Sequence, residues 1–125
     1  MKLEFRTFAD TVVVAPVGRL DHDNCEAFRA GLEPHLERAA ASGQRIVLDL
    51  AGLEYVSSAG LRCFMLAAKQ TRAQGGRIVL AALRPVVAEI FQISRFDLVF
   101  EIFASVREAL SALSASAAAA FDAAG

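Results

Sequence analysis

A chain of 125 residues that is 55% hydrophobic with a formal charge of −1 is long enough to bury one core and too short for two ordinary domains. Its charged residues are scattered singly, which leaves no basic stripe for nucleic acid and no acidic tail for cations. No apolar run approaches a membrane span, and residues 1–6 alternate apolar with charged side chains instead of forming a secretory h-region, so a cytoplasmic location without membrane insertion is expected.

Leu3 and Phe5 alternate with Glu4 and Arg6, the period of a half-buried strand, and Asp10 marks a turn into a second, β-branched arm over residues 11–17. Pro16 lacks the amide hydrogen a central ladder needs, so the ladder is expected to be interrupted or bulged there. Gly18-Arg19-Leu20-Asp21 turns out of the strand. Asp21, Asp23 or Asn24 can cap a helix running to about Ala41, with Phe28, Leu32, Leu36 and Ala39 on its buried face. Pro34 predicts a bend in it, or two shorter pieces.

Residues 45–50 are almost continuously apolar, the pattern of a strand covered on both faces. After the serines at 57 and 58, Leu61, Phe64, Met65 and Ala68 fall at helical spacing, and Gln74-Gly75-Gly76 ends that helix. Residues 77–82 form the next buried strand, reached through a helix and therefore parallel to the previous one. Pro85 starts a helix to about Ser94 that buries Val86 or Val87 with Ile90 and Phe91. A short strand is expected over residues 98–102. Ser105 and Glu108 then make a capping-box pattern for a last helix, in which each reaches the other's amide. The Ala/Ser-rich residues 114–125 read as a frayed or disordered tail, which puts the domain at residues 1–113.

The chemistry concentrates where a strand hands over to a helix, at Ser57-Ser58-Ala59-Gly60-Leu61-Arg62. Orphan amides and the helix dipole at such a point favour an oxygen ligand or an anion. By local pattern alone the two serines are an ordinary N-cap pair. A hydrolase elbow needs Gly two residues before its serine, where Val56 stands for Ser58 and Tyr55 for Ser57. It also needs a base, and His22 and His35 are the only histidines. His35 adjoins the buried face of the first helix, and His22 lies at the Asp21 turn. There is no Walker loop and no metal cluster, so no cofactor and no metal are expected. Cys25 and Cys63 stand far apart without a CxxC spacing, as fits a reducing compartment, and read as small buried apolar residues.

In this order the elements and motifs resemble the STAS fold of anti-sigma factor antagonists. The resemblance covers roughly residues 3–113. It rests on Gly18-Arg19-Leu20-Asp21, Val47-Leu48-Asp49-Leu50, Ser57-Ser58-Ala59-Gly60-Leu61 and Gly75-Gly76. It implies an α/β fold with a mixed sheet of four to five strands and about four helices, mostly packed on one face. It also implies a non-enzymatic switch phosphorylated at Ser58, with Ser57 the second choice and capping its main role. Asp21, Ser57, Ser58, Ala59, Gly60 and Arg62 are the implied partner surface. The implied partners are an anti-sigma factor that is also a serine kinase of the histidine-kinase-like ATPase type, and a metal-dependent serine phosphatase. The same fold also serves as a constitutive binding subunit of transport or signalling assemblies, in which Ser58 only caps. The chain departs from the usual family pattern at Ser57, where Asp is frequent, and at Ser94-Arg95-Phe96, where Ser-Gly is often found.

Overall fold

Buried side chains alternate along the central strands, and this alternation divides the interior into two cores. Ile46 and Leu48 pack with Val12, Val14, Ile78 and Leu80 on one side of the sheet, while Val47 packs with Val13, Val79 and Ala81 on the other. A strand buried on both faces needs apolar residues at both parities, hence the continuous apolar run over residues 45–50. A computed structural model of the chain describes residues 2–73 and 75–124, without the side chains of residues 39–42. The expected packing of Ala39 and the part of Gln74 in ending its helix lie outside the described residues.

The strands are β1 (Lys2–Phe8), β2 (Thr11–Leu20), β3 (Arg45–Asp49), β4 (Leu53–Val56), β5 (Ile78–Ala81) and β6 (Ile102–Phe103). The helices are α1 (Cys25–Ser42), α2 (Ser58–Ala73), α3 (Pro85–Ile93), α4 (Val106–Leu113) and α5 (Ala115–Ala124). The sheet runs β1-β2-β3-β5-β6, with β4 also paired to β2. Among the described residues β1 and β2 pair antiparallel and the other pairings are parallel. The mixed α/β sheet is as expected, although six strands exceed the four to five read from the sequence. Helices α1, α2 and α3 cover one core, and α4 and α5 cover the other.

The sixth strand comes from a partner exchange along β2. Thr11 to Val14 pair with β3, and Gly18 to Leu20 pair with β4, with a register shift between Gly18 and Arg19. Pro16 sits in the gap between the two ladders, where a missing amide hydrogen costs no parallel bond. The strand therefore continues through Gly18-Arg19-Leu20 instead of turning out there, with Gly18 at φ +105° absorbing the shift. Helix α1 runs as one element with Pro34 inside it.

Two expectations fail in the C-terminal third. The strand predicted over residues 98–102 is instead a single 3-10 turn at Phe96–Leu98, with only Ile102–Phe103 in the sheet. Phe96 and Phe100 are four apart and the Phe100 amide donates to the Phe96 carbonyl at 3.1 Å. Both rings then reach Phe91, each at 6.2 Å between centroids. Helical spacing of two aromatics overrides the β-propensity of the segment. The turn puts Arg95 at φ 60°, a conformation that favours glycine.

Residues 115–124, expected to be frayed or disordered, form α5, with Ala117 and Ala118 buried. Its start is capped by Ser114, whose Oγ accepts from the Ala117 amide at 3.2 Å and donates to Asp10 Oδ1 at 2.7 Å. Asp10 also receives Arg45 Nη1 at 2.6 Å, so the hairpin turn, β3 and α5 meet at one carboxylate. The Ser114 hydrogen bond is the main cause holding that carboxyl below its ordinary range. Arg107 closes the far end of α5 with a bidentate pair to Asp122, both bonds at 3.0 Å. In α4, Ser105 accepts from the Glu108 amide at 3.1 Å as predicted, but the reciprocal bond, from the Ser105 amide to the Glu108 carboxylate, is not formed among the described residues.

Candidate functional site

The β2–β4 ladder carries the end of β2 to the start of α2. Leu20 pairs with Val56, and the next amide, that of Ser57, donates to the Leu20 carbonyl at 2.9 Å. Helix α2 then begins at Ser58. Four amides at a helix start have no helical acceptor. Two chain groups take up the amides that follow Ala59: Ser57 Oγ accepts from Gly60 N–H at 3.2 Å, and the Ser57 carbonyl accepts from Leu61 N–H at 2.9 Å. Ser57 is thus the N-cap, half-buried and engaged at three points.

Ser58 is in a different position. It is the first residue of α2 and is exposed, and among the described residues its hydroxyl has no hydrogen-bond partner. Its own amide and that of Ala59 have no acceptor among the described residues, at the end of the helix where the dipole favours negative charge. Arg62 is exposed one turn further along the same helix, four residues from Ser58.

Gly60 fixes how closely this turn approaches the sheet. A Cβ there would lie 2.7 Å from the Leu20 carbonyl oxygen and 2.8 Å from Val56 Cγ2. The nearest obstacle is backbone and cannot rotate away. Gly60→Ala is therefore expected to destabilise the fold by about 1–3 kcal/mol through overpacking, despite the better helix propensity of alanine. A denaturant midpoint equal to or above that of the wild type would contradict this close approach.

Asp21 follows Leu20 directly and enters the loop before α1. Its Oδ1 accepts from the Asp23 amide at 3.1 Å, and its own amide donates to Asn24 Oδ1 at 2.8 Å. Asn24 also donates through Nδ2 to the Arg19 carbonyl at 2.5 Å and offers its own carbonyl to Phe28 at 3.0 Å. Of the three capping candidates, Asn24 holds the cap position, and Asp21 shapes the turn. The register brings Leu20, the residue before Asp21, against Ser57 and Gly60, while Arg62 is exposed further along α2.

Sequence reading missed the flank of this site. Arg19 and Tyr55 are paired across β2 and β4, and the Arg19 guanidinium lies over the Tyr55 ring at 4.5 Å. An isolated β4 of four residues has too few periods to announce itself. Of the two histidines, His35 is stacked on Phe5 of the edge strand at 4.4 Å, and burial, followed by the charge of Arg38, lowers its pKa. Among the described residues, no group of three or more His, Cys, Asp or Glu could hold a metal ion, and no helix is long and apolar enough to cross a membrane.

Residues 4–108 match the family model described as "Mlab, STAS domain". The chain belongs to the STAS domain family. It is 39% identical over 112 residues to BtrV of Bordetella bronchiseptica, a candidate anti-sigma factor antagonist, covering 90% of this chain and 93% of that one. A candidate anti-sigma factor antagonist from Thermotoga maritima superimposes with a TM-score of 0.80 at 20% identity, covering 89% of this chain and 93% of the other. The Bacillus cell fate determinant SpoIIAA in its phosphorylated form superimposes with a TM-score of 0.63 at 26% identity, covering 90% and 98%.

Proposed function

We propose that this protein is an anti-sigma factor antagonist: a cytoplasmic, non-enzymatic binding module released from its partner by phosphorylation at Ser58. The observation that carries the reading is the division of labour between two adjacent serines. Ser57 is engaged as the cap, whereas the Ser58 hydroxyl, at the first position of α2, is exposed and has no partner among the described residues. The relatives named as candidate antagonists, and the relative known in a phosphorylated form, support the same reading.

The partner surface in this reading comprises Asp21, Ser57, Ser58, Ala59, Gly60 and Arg62. The partner is an anti-sigma factor with serine kinase activity, of the histidine-kinase-like ATPase type, and a metal-dependent serine phosphatase resets the switch. Phosphate brings about −1.5 to −2 charges. A helix N-terminus stabilises an exposed anion by only about 0.3–1 kcal/mol, so the domain itself keeps its shape. At an interface, a like charge at about 4 Å costs on the order of 4 kcal/mol per unit pair in a near-surface environment. That weakens binding about a thousandfold. The magnitudes favour direct expulsion of the partner over a refolded domain.

Co-purification from the native cell tests this reading. An ATPase-type kinase is expected to accompany the chain. Recovery of a membrane transport assembly without any kinase would favour instead a constitutive binding subunit in which Ser58 stays unmodified.

A further inference from the structure

Cys25 and Cys63, 38 residues apart in sequence, meet where α1 packs against α2. Cys25 opens α1 and Cys63 lies on the buried side of α2. The Cys63 thiol donates to the Cys25 carbonyl oxygen at 3.6 Å, and the Cys25 thiol donates to the His22 carbonyl at 3.8 Å. Both are weak sulfur hydrogen bonds, so neither side chain is firmly held. Both cysteines are free, Cys63 buried and Cys25 half-buried. Burial is the first cause that pushes the Cys63 thiol up to about 12, and the neighbouring Cys25 adds to it. The Cys63 sulfur thus lies against the backbone of Cys25, the residue that opens α1.

We propose that Cys25 and Cys63 form a reversible disulfide site, closed by a peroxide and reopened by a dithiol. The more accessible sulfur reacts first. The Cys25 thiolate attacks one peroxide oxygen and the O–O bond breaks, giving a sulfenic acid on Cys25 and hydroxide, which takes up a proton. The Cys63 sulfur then attacks the Cys25 sulfur. An S–S bond forms as the S–OH bond breaks, and the Cys63 proton leaves with that hydroxide as water. Two thiols lose two electrons, and one peroxide is reduced to two waters. Closing the bond to its length of about 2.05 Å requires Cys25 to turn from the His22 carbonyl toward α2, at the expense of the two weak S–H hydrogen bonds. Disulfides of this kind in reducing compartments are transient and redox-responsive. The bond joins the end of the Asp21–Asn24 loop to α2 five residues beyond Ser58, and it forms whether or not Ser58 is phosphorylated.

The test uses the full chain and hydrogen peroxide, read by intact mass and by peptide mapping without reduction. The expected product has lost two hydrogens, yields a linked Cys25–Cys63 peptide within one chain, and returns to the starting mass with dithiothreitol. A brief exposure followed by a sulfenic-acid trap should label Cys25. Cys25→Ser removes the linked product. Two thiols still free after peroxide, Cys25 advanced to sulfinic acid with Cys63 unreacted, or linkage only between separate chains would each overturn the proposal.

Discussion

Ser58→Asp is expected to weaken binding to the cognate kinase about a thousandfold, while Ser58→Ala leaves the affinity within a few fold of wild type. Among the described residues the hydroxyl makes no bond, so its removal is expected to take little from the fold. An interface that covers this exposed first turn must strip water from whatever stands at position 58. A neutral serine or alanine tolerates this, whereas a carboxylate loses hydration and meets any acidic group of the partner in a medium that screens poorly. Arg62 stands one turn away and offsets only part of that cost, since exposed helical ion pairs contribute about 0.3–0.5 kcal/mol. Titration calorimetry at fixed salt reads the difference. Equal affinity for the Asp and wild-type proteins would remove the switch and leave the constitutive-subunit reading.

The second large effect concerns stability. Phe64→Ala is expected to lower unfolding free energy by about 3–5 kcal/mol, a substantial part of the 5–15 kcal/mol of a typical domain. Phe64 on α2 is fully buried. Its ring lies 5.3 Å from Phe28 of α1, 5.7 Å from Phe91 of α3 and 6.5 Å from Phe100 before β6. Truncation leaves a cavity lined by three rings on separate elements, which cannot all move in together. The denaturant midpoint should fall with the slope unchanged, while Phe5→Ala, at a ring 42% exposed, should cost far less. A loss below about 1 kcal/mol for Phe64→Ala would mean that this core repacks freely.

What the sequence revealed and what it concealed follow from the range of the interactions. The runs at residues 45–50 and 77–82, the Pro85 helix start and the Ser105 cap are local patterns, and each was legible. The capping position read for Ser57 was local too, and its Oγ accepts from the Gly60 amide. Strand β4 was not legible, because its four residues acquire strand character only by pairing with the far half of β2. Phe96 and Phe100 misled because their β-propensity is local, whereas their packing on Phe91 is tertiary. Helix α5 depends on a bond between Ser114 and Asp10 spanning 104 residues, which Ala/Ser composition cannot suggest. The meeting of Cys25 and Cys63 is hidden for the same reason.

The central claim is that Ser58, and not the capping Ser57, accepts the phosphate. Incubation of the wild-type chain with its kinase and ATP, followed by intact-mass measurement and site mapping, addresses it directly. The expected result is one phosphate, located on Ser58 and absent from the Ser58→Ala protein. Transfer to Ser57, or no transfer under conditions in which the kinase binds the chain, would contradict it.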